Sequence, residues 1–158
     1  MKKTLFLLLS IGIHVALQAQ EFQMDADLRI RYEHRNGYGE PRKDSLRPAN
    51  FAVQRTRIIL NYANGKTKIR ASPQSVRVWG ESPQGSKSDV HGLQMYEAWI
   101  QYEISPAIHA KAGRQELNYD DARILGNADW NMQARSHDAL LLAFSPKSGQ
   151  HLHLGAAL

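Results

Sequence analysis

Arginine recurs along this sequence, at alternate positions in Arg29 and Arg31 and in Arg55 and Arg57, then at Arg70 and Arg77. Successive side chains of an extended chain point to opposite faces, so each close pair shares one face. Guanidiniums in such rows are permanently charged donors whose planar fork grips a carboxylate at two points. Those carboxylates could arrive on a solute. They could equally be Asp25, Asp27, Glu33, Glu81 and Glu97 of the same sheet, in which case the arginines pair across strands and only fill the space beside the wall. Further on, Arg114, Arg123 and Arg135 interleave with Asp120, Asp121 and Asp129, a composition suited to a charged constriction. Trp130 beside Asp129 offers either a flat surface to a sugar or a small apolar anchor for its loop, which Asp129 and Arg135 would then merely pin.

Bond-making chemistry finds no support. Asp120 and Asp121 diverge if extended and make no acid/base couple. His151 and His153 share a face but lack a third ligand, so no metal is expected. The sequence has no cysteine, which excludes thiolate sites and disulfides. No phosphate loop, zinc-protease helix motif or nucleophile elbow occurs. The reading is of a protein that is not an enzyme and carries no cofactor.

The elements that must position these side chains are strands, because the pattern has period two almost throughout. Between Phe22 and Glu33, Phe22, Met24, Ala26, Leu28, Ile30 and Tyr32 alternate with Gln23, Asp25, Asp27, Arg29, Arg31 and Glu33. That gives one apolar and one charged face over a length that suits a tilted membrane strand better than a sandwich strand. The segment Asn50 to Tyr62 repeats it more weakly, with Gln54 and Thr56 diluting the apolar side. Thr67 to Trp79 changes register at Pro73, which predicts a bulge there and brings Arg70 and Arg77 to the same polar wall. Further strands are predicted at Leu93 to Tyr102, with Tyr96 facing away from Glu97 and Trp99, at Ile108 to Leu117, at Asp138 to Phe144, and at His151 to Leu158. Phe22, Tyr32, Tyr62, Tyr96, Tyr102 and Phe144 lie where an interfacial aromatic girdle would place them, and equally where a sandwich core would.

Connections alternate in length. Arg35 to Ala49, Gly80 to Gly92 and Asn118 to Arg135 are long; Asn64-Gly65, Ser105-Pro106 and Ser145 to Gly149 are short. This is the rhythm of an outer-membrane barrel, with tight periplasmic turns and longer outer loops, and Asn-Gly is the strongest two-residue hairpin signal. Gly113-Arg114 precedes the longest connection and could let it bend inward to narrow a pore. The fold expected is an all-β, antiparallel, up-and-down transmembrane barrel. Seven segments is an odd number and the last residues, Gly155-Ala156-Ala157-Leu158, fall inside a strand, so the expectation is a sequence that continues into further strands and does not close alone.

The start fixes the compartment. Met1-Lys2-Lys3, an apolar run from Thr4 to Leu17 and the small residue Ala19 read as a secretory signal peptide over residues 1–19, too short to anchor comfortably in a bilayer. Residues 20–158 are then one domain. Without Lys2 and Lys3 the chain has 18 Lys plus Arg against 15 Asp plus Glu, a net charge of +3. That excess is too mild and too dispersed for a nucleic-acid partner.

Gly113-Arg114-Gln115-Glu116-Leu117, then Tyr119-Asp120, Arg123, Gly126, Asp129-Trp130 and Ala134-Arg135-Ser136-His137-Asp138-Ala139, resemble the signature of the alginate export family of outer-membrane barrels. Arg55-Thr56-Arg57, Val78-Trp79-Gly80-Glu81 and Glu97-Ala98-Trp99 are similar to its preceding strands, so the resemblance spans nearly all of the mature chain. It implies a monomeric barrel of about 18 strands, of which this chain supplies less than half. It also implies location in the outer membrane, lipid around the wall, and outward passage of an anionic polysaccharide through an arginine-rich lumen. A polyuronate bears a carboxylate on each sugar, so its passage needs fixed cations that attract and release. A general porin for another hydrophilic solute, and a soluble secreted β-sandwich or barrel that binds sugar or protein partners without conducting, are the other readings.

Overall fold

The computed structural model describes residues 20–37, 41, 47–81, 92–146 and 149–158; the expected signal peptide, residues 1–19, lies outside them. Seven strands form one antiparallel sheet in sequence order: β1 Glu21–Arg35, β2 Ala49–Asn64, β3 Thr67–Val78, β4 Gln94–Ser105, β5 Ile108–Gln115, β6 His137–Phe144 and β7 Leu152–Ala157. The all-β reading and its seven segments hold, with shifted ends: β1 reaches Arg35, and β5 stops at Gln115 rather than Leu117. β1 and β7 each pair with a single neighbour, so the sheet is open. No helix among the described residues is long and apolar enough to cross a membrane, which says nothing about crossing by strands.

Strand register assigns every side chain to a face. Asp27 lies opposite Arg57 and Arg29 opposite Arg55 across β1 and β2. Arg57 lies opposite Gln74 on β3, Arg70 opposite Trp99 on β4, and Trp99 opposite Gly113 on β5. The connection between β5 and β6 folds over this face. The other face carries Leu28, Ile30, Ile58, Ile100, Leu140 and Leu154, all exposed large hydrophobics. Burial is therefore inverted relative to a water-soluble sheet: Arg55 and Gln115 are 0 % exposed, whereas Leu28 is 64 % and Leu140 60 % exposed. An apolar face this continuous is a contact surface rather than a water-facing one. Phe22, Tyr32, Tyr62, Tyr102 and Phe144 belong to it by register.

The register change expected at Pro73 occurs there, but on the neighbouring strand. Ser72 is opposite Glu97 and Pro73 opposite Met95, so the extra residue is Tyr96 of β4. On the β2 side the pairings Arg57 with Gln74 and Leu60 with Ala71 keep one register across the proline, which holds the alternation of β3 intact. Proline cannot donate to the ladder, and the slack appears where its partner strand is free to bulge. Two expectations are corrected as a result. Arg77 does not join Arg70 on the inner wall; it sits exposed on the opposite face, across from Gln54. Tyr96 does not belong to the outer aromatics: the bulge turns it inward beside Glu97, and both are buried, at 3 % and 4 % exposure.

Gly113 is not the hinge of the long loop either, since β5 continues through it to Gln115. Its φ of +118° disfavours other residues, and a Cβ there would collide with the Ala98 carbonyl oxygen and come within 2.9 Å of Trp99 Cα. Gly113→Ala is expected to destabilise the folded full-length gene product by about 1–3 kcal/mol. A urea titration of its gel-shift-resistant folded fraction checks this, and an unchanged midpoint would refute it.

Candidate functional site: arginines beneath an inward loop

Placing Arg29 directly across from Arg55 sets two like charges side by side, an arrangement that destabilises a sheet unless anions intervene. Two anions do. Asp27 Oδ2 accepts from Arg55 Nη2 at 2.5 Å, and Asp129, reaching over from the β5–β6 loop, accepts from Arg55 Nη1 at 2.8 Å through Oδ1. Through Oδ2 the same carboxylate takes Arg29 Nη2 at 2.8 Å, and its backbone carbonyl takes Arg29 Nη1. Arg57 Nη1 lies 3.8 Å from Asp129 Oδ1. One loop carboxylate thus answers three arginines on two strands.

Arg57 is buried by its remaining partners. Its Nε and Nη2 donate to Gln74 Oε1 at 3.1 and 2.8 Å, and its guanidinium carbon lies 3.5 Å from the centre of the Tyr96 ring. Tyr96 donates its hydroxyl to Glu116 Oε1 at 2.6 Å, and Glu116 Oε2 accepts from Asn127 Nδ2 at 3.1 Å. Gln74 Nε2 donates to the Gln133 carbonyl at 2.9 Å. The bulge therefore links the arginine row to both ends of the loop.

The loop backbone is unusual. Asp120, Asp121, Ala122, Ala128 and Ala134 all have positive φ, and among the described residues they are the only non-glycines that do. Each such residue costs about 1–3 kcal/mol, so the path persists only where contacts over-determine it. Asp129 and Gln133 supply polar contacts. Met132, 3 % exposed and grouped with Phe51, Val53 and Val76, supplies the apolar one.

Several expected site residues lie elsewhere. Arg31 pairs with Glu33 at 2.7 Å and reaches the Trp130 carbonyl at 3.4 Å, at the edge of the cluster. Arg70 is 2.7 Å from Glu97, nearer the short-turn end. Arg114 is not part of a loop constriction: register puts it on the outer face, where it donates to Asp138 Oδ2 at 3.0 Å. Arg123 and Arg135 are exposed on the loop. Trp130 is 79 % exposed and anchors nothing; Met132 has that role. His151 and His153 are held by Ser145 and Tyr119, at 3.0 and 2.7 Å. Gln74 and Met132 went unmarked in the sequence, where Tyr96 stood only as a girdle aromatic and Glu116 only as part of the family signature. Glu116, immediately after a strand and before a long loop, was the one with a visible signal.

The family model for alginate export matches residues 18–153, and the chain belongs to that family. No curated protein and no solved structure matches.

Burial would raise the Asp129 carboxyl, but hydrogen bonds from Arg55 and Arg29 outweigh it and hold the group below its ordinary 3.8. The clamp is then complete above the ordinary aspartate range and is lost only as pH falls through the lowered value. Loop opening, read as tryptic cleavage after Arg123 or Arg135 in the full-length gene product, should stay flat between about pH 7 and 8. Asp129→Asn should accelerate cleavage roughly tenfold, the equivalent of about 1.5 kcal/mol for a charged hydrogen bond. An unchanged rate would show that Asp129 does not hold the loop.

Proposed function

We propose that this member of the alginate export family supplies seven strands of the wall of an outer-membrane channel, with a cleavable signal peptide in residues 1–19, and that its arginine-bearing face passes an anionic sugar polymer. Residues 20–158 would then be the N-terminal part of one barrel domain, which further strands beyond β7 close into a monomer. The inverted burial carries this reading. A sheet whose charged face is partly covered by an infolded loop and whose apolar face is bare has the polarity of a wall between lipid and an aqueous lumen.

The cluster divides the labour. Arg55 and Arg57 are buried and hold the loop, whereas Arg29 and Arg31 keep 36 % and 42 % of their side chains exposed and can meet a solute. Arg123 and Arg135 add exposed cations on the loop. Conduction requires entry without trapping. Here a solute carboxylate meets guanidiniums already paired with Asp129 and Glu33, so it exchanges one anion for another instead of falling onto bare charge. Arg31, Arg29 and, below the buried Arg57, Arg70 descend from the long-loop end toward the short turns, so the exchange can be repeated along the path.

The test is conductance of the full-length gene product in planar bilayers. Open channels that prefer anions and are blocked by an oligouronate are expected, and the combined Arg29→Ser and Arg31→Ser variant should move the anion preference toward unity while still conducting. A preference unmoved by those substitutions removes the anionic solute and leaves a general porin. A protein that is soluble without detergent and does not conduct removes the channel.

On the outer face, Leu28→Arg should cost about 2–4 kcal/mol of folding stability in bilayers, as expected near the midplane. Refolding titrations into lipid vesicles read this, and a neutral result would mean that Leu28 does not face lipid.

A further inference from the structure

Between the arginine cluster and the short-turn end, the inner face holds a second polar cavity of about 370 Å³ that includes Arg70, Trp99, Gln101, Lys111 and Gln115. Its floor is pre-set by one buried carboxylate. Glu97, 4 % exposed, accepts from Trp99 Nε1 at 3.0 Å through Oε1 and lies 2.7 Å from Arg70 Nε through Oε2. It thereby fixes the plane of an indole and the place of a guanidinium. Lys111 rests its ammonium 4.0 Å from the centre of the Trp99 ring and makes no ion pair among the described residues, although Glu97 and the cavity's other carboxylate, Glu116, act on its charge. Gln115, 0 % exposed, gives its Nε2 to the Ala139 carbonyl at 2.9 Å, while its Oε1 has no hydrogen-bond partner among them.

We propose that this cavity is a binding subsite for a single acidic sugar unit, with the pyranose ring on Trp99, the carboxylate taken by Lys111 with Arg70, and hydroxyls on Gln101 and Gln115 Oε1. The inference deepens the channel reading and rests on it for the identity of the passing solute. An indole presents a flat apolar surface to the C–H face of a sugar, amides suit hydroxyls, and an ammonium that rests on a ring without an ion pair can take an anion. Lys111 is the exchangeable element. Its hold on the ring is worth only about 0.5–1 kcal/mol at a half-exposed site, so a carboxylate that offers a charge-assisted hydrogen bond can draw the ammonium away and bare the ring for stacking. Glu97 acts as a positioning residue: it keeps the indole from rotating and, with Glu116, offsets the charge of Arg70 and Lys111, which leaves the site able to release its occupant. A step of this kind between the arginine cluster and the exit divides one long charged path into successive shallow sites.

The experiment is calorimetric binding to the detergent-solubilised full-length gene product, with a uronic acid hexamer and an uncharged glucose hexamer as probes. Lys111→Gln should weaken the uronate hexamer about tenfold and leave the glucose hexamer unchanged, Trp99→Ala should weaken both, and Trp99→Phe should restore most of the loss. Heat-modifiable gel mobility verifies that each variant folds, and Lys111→Gln, which breaks no ion pair, stands in should Trp99→Ala fail to fold. A Lys111→Gln affinity for the uronate hexamer equal to wild type, a folded Trp99→Ala that binds both hexamers as wild type does, or no binding of either hexamer by the wild type, would overturn the subsite. Binding needs no conductance, so a protein that binds as expected yet forms no channel would sink the channel reading and leave the subsite standing.

Discussion

Two guanidiniums facing one another across a β-ladder are the constraint around which the inner face is arranged. Arg29 and Arg55 cannot coexist there without an anion between them, and the strands supply only Asp27. The second anion, Asp129, comes from a loop some hundred residues away in sequence from Arg29. A loop that must deliver a carboxylate to β1 and β2 has to cross β4 and β3 to reach them. That requirement accounts for its length, its left-handed residues and its polar anchor on Gln74. Removing the arginine pair would remove the reason for the crossing.

The bulge opposite Pro73 is the second support of the same arrangement. It costs the ladder one regular pairing and in return sends two consecutive residues, Tyr96 and Glu97, to one face. Tyr96 covers Arg57 and ties down Glu116 at the start of the loop; Glu97 organises Trp99 and Arg70 below it. One irregularity in β4 thus serves the arginine cluster on one side and the aromatic cavity on the other.

Both features serve a charged face that the loop partly covers. Charges that lie under a loop are expensive unless paired, and here the buried ones are paired, stacked or hydrogen-bonded. The apolar face makes no comparable provision for water, and its exposed leucines and isoleucines run from β1 to β7. Membership of the alginate export family places such a sheet in a transport barrel, with a surface that meets lipid where a soluble protein would meet solvent.

The sequence by itself determined the strands, their order and the polarity of most of the wall, because alternation with period two is a local property and each segment carries its own copy of it. It also marked Arg29, Arg31, Arg55 and Arg57 as neighbours, since consecutive strands of an up-and-down sheet pair with one another. Where the pattern broke, at Pro73, local reading could tell that a register shift was needed but not which strand would absorb it. That choice depends on the ladder with β2, which held β3 straight and passed the shift to β4, so that Arg77 went outward and Tyr96 inward. The target of Asp129, the anchoring role of Met132 in place of Trp130, and the meeting of Trp99 with Lys111 were likewise decided only by the tertiary structure. Each depends on how a long loop or a neighbouring strand is laid across the sheet, and separation along the chain carries no information about that.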